Sequence, residues 1–198
     1  MRWLNYAIFF IINILLTSLF SCKDRTEHIQ TSPSFELEEL IDDQIELLSK
    51  NEFSLYKVTG LNGRLEEIQL NPDSTAWRKE LSIFKSADIN KPGLIPFYTY
   101  SQMETNGRME ELYVLNDSGR SETTYLRILK NIGTLQITRI SAEQNVENPI
   151  YRSTRNMELY FRGSERNGVL LDSFSIIGYQ KMISQDSVVY STSGKITK

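Results

Sequence analysis

NMELYFRGSERNGVLLDSFSIIGYQKMI, residues 156–183, decides the fold. Met157, Leu159 and Phe161 alternate with Glu158 and Tyr160, the period of a strand with one buried face. Asn167-Gly168 then offers a pair of residues that accept positive φ and so turn a chain tightly. The stretch 169–183 is apolar in both phases and contains Gly178, which predicts a central strand covered on two sides, bulged or bent at the glycine. Two long strands joined by so short a connection are antiparallel neighbours.

Working outward, the same alternation of extended runs and turn residues reaches back to Leu94. The runs are 95–104, 109–115, 121–129, 134–141, 150–162, 169–183 and 187–192, separated by Asn106-Gly107, Asn116–Gly119, Lys130–Gly133, a loop at 142–149, Asn167-Gly168 and Gln185-Asp186. Upstream, 53–59 and 65–70 flank Asn62-Gly63 as a further hairpin. Leu37, Leu40, Ile41, Ile45 and Leu48 recur at helical spacing, so 35–49 is an amphipathic helix started at Ser32-Pro33-Ser34. Its acids, Glu36 to Glu46, form a solvated face. Pro72-Asp73-Ser74 opens a second helix with Trp77, Leu81 and Phe84 on one stripe. The fold class expected is α+β: one or two N-terminal helices packed on a curved antiparallel β-meander of about seven to nine strands.

The first 34 residues are of another kind. Arg2, an apolar run from Trp3 to Phe20 and a small residue before a cut reproduce the layout of a secretory signal. Leu19-Phe20-Ser21-Cys22 resembles the lipobox of bacterial lipoprotein precursors. The resemblance implies cleavage between Ser21 and Cys22 and acyl lipid on the Cys22 thiol. It also implies a mature protein held in the cell envelope; Lys23 after the cysteine favours an outer-membrane anchor facing the periplasm. The organisation expected is a signal peptide at 1–21, a lipidated Cys22 with a polar tether to 34, and one domain at 35–198.

Composition narrows the chemistry. The chain has 22 basic and 25 acidic residues, net charge −3, and so lacks the basic field that binds nucleic acid. Cys22 and His28 are the only residues of their types. No disulfide can form within the chain, and no Ser-His-Asp, Cys-His or His/Cys zinc site is expected. No metal or other cofactor is expected beyond the covalent lipid. Glycine-rich phosphate loops and calcium loops are missing from the sequence.

One echo stands out. Residues 53–74 and 97–118 share Phe, Tyr, Asn-Gly-Arg and Glu-Glu at a spacing of 44. As function, this would pair Arg64 with Glu66 and Arg108 with Glu110 along one face; as structure, it is two hairpins using one turn chemistry. Tyr98, Tyr100, Tyr113 and Tyr160 are the candidate ligand-binding aromatics, although aromatics favour strands for packing alone. The function expected is a non-catalytic, membrane-anchored module that binds an envelope protein, lipid or glycan. The alternative is a carboxylate hydrolase of envelope or extracellular glycans, which needs two converging acids. A third reading is a structural lipoprotein whose exposed strand edge pairs with another chain.

Overall fold

The computed structural model describes residues 35–163 and 168–198. The signal segment, Ser21, Cys22, the tether with His28 and the Asn167 half of one turn lie outside the described residues.

The described chain forms two helices and one nine-stranded antiparallel sheet: α1 Leu37–Lys50, β1 Ser54–Leu61, β2 Arg64–Leu70, α2 Ser74–Lys85, β3 Tyr98–Thr105, β4 Arg108–Leu115, β5 Thr123–Asn131, β6 Ile137–Asn148, β7 Tyr151–Gly163, β8 Val169–Met182 and β9 Val188–Thr197. The strand order is β2-β1-β9-β8-β7-β6-β5-β4-β3. From β3 to β9 the chain is therefore a meander, and the first hairpin closes back on the last strand. The sheet does not close; β2 and β3 are its edges. Among the described residues no helix is long and apolar enough to cross a membrane.

Both helices lie on the same sheet face. Leu37, Ile41, Ile45 and Leu48 of α1 and Trp77, Leu81 and Phe84 of α2 are buried with Leu55, Leu126, Ile128, Ile140, Met157, Leu159, Phe174 and Ile196 of the strands. The predicted helical stripes are thus the core, apart from Leu40, which is half-buried. Asp73 caps α2, its Oδ1 accepting from Ala76 N at 2.8 Å. For α1 the caps differ from expectation: Glu36 occupies the cap position without a side-chain bond, and Asp88 Oδ2, fifty residues on, accepts from Glu38 N at 3.1 Å.

Four strand expectations change. The loop expected at 142–149 is, as far as Asn148, the second half of β6, paired with Tyr151–Met157, and the turn is only Pro149-Ile150. Polar Glu143, Gln144 and Asn145 are carried there by two long paired neighbours, which override their weak strand propensity. β9 continues past 192 to Thr197, because Gly194 lies under Phe174, where a Cβ would come within 2.4 Å of the ring. In β8 the bulge is not at Gly178: the register shifts between Tyr160 and Phe161, leaving Asp172 as the extra residue. Gly178 instead makes room for the Tyr190 ring, 2.1 Å from where a Cβ would stand. Nor is β8 covered on both sides, since Ile177 is exposed on the face away from the helices.

Candidate functional site

Cross-strand register sorts the side chains into two faces. Tyr98, Tyr100 and Tyr113 lie on the helix-covered face of β3 and β4, with Tyr100 directly opposite Tyr113 and their rings 5.0 Å apart. Tyr98 and Tyr113 are buried in the core; Tyr98 Oη donates to Thr123 O at 2.6 Å, fastening β3 to the start of β5. Tyr160 is on the opposite face, exposed, with the Arg139 guanidinium 5.1 Å above its ring. The four aromatics therefore do not line one cleft. Two are core, Tyr100 packs against that core, and Tyr160 belongs to the uncovered face.

Burial pushes the Tyr98 and Tyr113 phenols up, with Glu111 and Tyr100 adding to the effect at Tyr113. A raised acid pKa favours the neutral folded form. Its contribution is complete below the unfolded value of about 10 and is lost as pH rises beyond it. The urea midpoint is expected to hold from neutral pH to about 9 and then fall, less steeply in Tyr113→Phe. A parent midpoint that stays flat through strong alkali would contradict this.

The uncovered face carries fixed charges. Arg139 grips Glu158 with two bonds, Nε to Oε2 at 2.5 Å and Nη2 to Oε1 at 2.8 Å. Ser141 Oγ, buried between them, donates to the same Oε2 at 2.9 Å. Arg139's own hydrogen bonds to Glu158 hold its pKa above the usual value. Beside this group Arg127 sits 3.3 Å from Glu110 and 5.8 Å from the Tyr125 ring. Glu143 accepts from Thr124 Oγ1 at 3.0 Å and from Asn145 Nδ2 at 2.8 Å. Apart from Glu110, none of these residues was singled out as a site in the sequence, because only register brings β4, β5, β6 and β7 side chains into one row. The arrangement presents preorganised donors and acceptors, and every acid in it already has a partner.

The echoing hairpins separate in the same way. Asn62-Gly63 and Asn106-Gly107 both turn with positive φ, as expected. However, they sit at opposite edges of the sheet, and equivalent positions face opposite sides: Tyr56 points away from the helices while Tyr100 points beneath them. Arg64 and Glu66 thus share the helix side of β2, and Arg108 and Glu110 the uncovered side of β4. Glu110 pairs with Arg127 rather than Arg108. Arg108 and Glu110 line an open groove of about 480 Å³ with Met103 and Leu129.

Among the described residues the buried acids give no converging pair. Glu111 binds Lys130 at 2.6 Å, Asp172 binds Lys195 at 2.5 Å, and Asp88 accepts backbone N–H groups from Glu38 and Asn90. The acid with a raised pKa is Glu39, held up by a hydrogen bond and by repulsion from Glu36 in the exposed first turn of α1. Among the described residues no three of His, Cys, Asp and Glu gather as metal ligands.

Comparison with protein-family models, with curated proteins and with solved structures gives no match.

Proposed function

We propose that this chain is a lipid-anchored protein of the bacterial cell envelope whose domain is a non-catalytic binding module. The anchor rests on Leu19-Phe20-Ser21-Cys22, placed between an apolar run and a polar tether. The observation that supports binding is the uncovered sheet face. The helices cover the buried core on one side of the sheet, while the other displays Glu158 bonded to Arg139, Tyr160 beneath the Arg139 guanidinium, and Arg127 beside Glu110 and Tyr125. Side chains held this way lose little entropy on meeting a partner. An envelope protein is the partner that best suits an open face, since small ligands are usually enclosed in deep pockets. The glycan-hydrolase reading has no comparable support, because the buried acids are engaged by cations and backbone amides.

Expression of the full chain in a bacterial host tests the anchor. Mass spectrometry of the mature protein should find no peptide from 1–21 and two or three acyl groups on Cys22, and Cys22→Ser should leave the precursor uncut. A free Cys22 thiol, or a retained Met1–Ser21 segment, would overturn the reading.

A further inference from the structure

One end of the sheet gathers the β1–β2, β6–β7 and β8–β9 turns, because β1, β6 and β8 all run toward it. Hydrogen bonds tie these turns together across the sequence. Ile183 N donates to Ile150 O at 3.1 Å, Asn62 N donates to Val189 O at 2.8 Å, and Val189 N donates to Asn62 Oδ1 at 2.9 Å. This braced tip displays Leu61, Ile150, Met182, Ile183 and Val189, each 44–75 % exposed. Single exposed apolar residues are ordinary, but five on one braced end make a patch of the kind that marks an interaction site. Of the charges around it, Arg152 is paired with Glu147, while Arg64 follows the β1–β2 turn and Lys181 and Asp186 flank the β8–β9 turn.

The course of the chain says what covers this patch. α1 begins beside Asp88, which follows the end of α2, and there Ser86 O accepts from Gln144 Nε2 at 2.9 Å. Gln144 lies in the half of β6 that leads to the tip, whereas α1 ends by the start of β1 at the opposite end. The tether therefore joins the domain in its tip-side half. Residues 23–34 can span at most about 40 Å even when fully extended, so a lipid on Cys22 keeps this end near the membrane.

We infer that the Ile150–Ile183 tip rests in the surface of the membrane that carries the anchor, setting the sheet upright on the lipid. This rests on the anchored reading above. The contact is driven by burial of these five apolar side chains, so neutral lipid is enough to form it.

The test uses the full-length acylated protein in phosphatidylcholine vesicles containing doxyl-labelled lipid. With Cys22 acylated, Ile183→Cys supplies the one free thiol for an environment-sensitive fluorophore; Leu135→Cys, 63 % exposed in the turn at the far end, is the control. The probe at 183 is expected to shift blue and be quenched, equally at low and high salt, while that at 135 is not. Adding Ile150→Asp should abolish the quenching without moving the melting temperature. An acylated protein whose two probes behave alike would overturn the inference and leave the anchor standing. Shielding at 183 that appears in native envelopes but not in pure lipid would overturn it in favour of a protein contact. Mass spectrometry of the same sample reads the anchor separately, and an unacylated Cys22 would end both.

Discussion

Phe174→Ala is expected to lower the unfolding free energy by about 3–5 kcal/mol, the cost of truncating a fully packed aromatic. Phe174 is 2 % exposed and stands edge-on to Phe84 of α2, ring centroids 5.7 Å apart at 71°. Its other side lies over Gly194 of β9, with Leu55 alongside. The hole left by alanine opens onto a glycine, so on that side Leu55 is the side chain left to relax into it. Gly194→Ala should also destabilise, because its Cβ would stand 2.4 Å from two ring carbons and 2.9 Å from Leu55 Cδ1. The two changes share one space, so their effects should not add. In the double variant the new methyl occupies part of the cavity, and the loss should fall short of the sum of the singles by about 1 kcal/mol or more. Urea unfolding of the four proteins measures this; strict additivity would mean that the ring does not depend on the glycine.

That slot shows where the sequence was legible and where it was not. Periodicity located both helices and all nine strands, and Asn62-Gly63 and Asn106-Gly107 turn as their chemistry requires. Apolar alternation is a local signal, and the core follows from it directly. What failed depended on neighbours distant in sequence. The last strand was expected to end at 192, whereas it runs on through Gly194, over which Phe174 lies, to Thr197. The polar run from Glu143 to Asn148 reads as a loop until it is paired with β7. The contacts of Arg139 with Glu158 and Tyr160, of Ser141 with Glu158, and of Arg127 with Tyr125 need the register of three strands, and a slip of one residue would send each to the other face. Packing was the default reading of Tyr98, Tyr100 and Tyr113 as strand aromatics, and Tyr98 and Tyr113 are core; a shared cleft with Tyr160 was not legible either way, because it depends on which face each strand turns to the helices.

With the tip on lipid, the two edge strands would stand upright and open to the aqueous side. β2 is exposed along nearly all its length, and Arg64, Glu66 and Glu67 along it would discourage indiscriminate strand pairing. β3 carries fewer charges, with Glu104 near its end and exposed Met103 beside the Arg108–Glu110 groove. If a strand-like partner is bound, β3 is the less defended edge, and the uncovered face next to it offers Glu110 and Arg127 for side-chain contacts.

Gln44→Leu is expected to cost about 2–4 kcal/mol, although leucine has nearly the same volume and the site is buried. The reason lies in the ladder. β9 pairs with β8 only from Ser173 onward, so the first residues of β8 lack a neighbour on that side. The Gln44 amide replaces it: Oε1 accepts from Leu171 N at 2.7 Å, and Nε2 donates to Val169 O at 3.2 Å, as a peptide group of a strand would. Leucine leaves both groups unpaired. The Leu171 amide is wholly buried and bears the full penalty, while the carbonyl of half-buried Val169 can turn toward water. Gln44→Glu separates hydrogen bonding from shape. Ionised, the carboxylate still accepts from Leu171 N but brings a buried charge and no donor; protonated, it restores both bonds. Burial would raise the pKa of that carboxyl, so its contribution is present below the unfolded value of about 4.3 and fades as pH rises through the folded one. Measured against the parent at each pH, Gln44→Glu should approach parental stability in acid while Gln44→Leu stays uniformly low. Equal deficits for the two variants at every pH would show that Gln44 fills space rather than standing in for a strand.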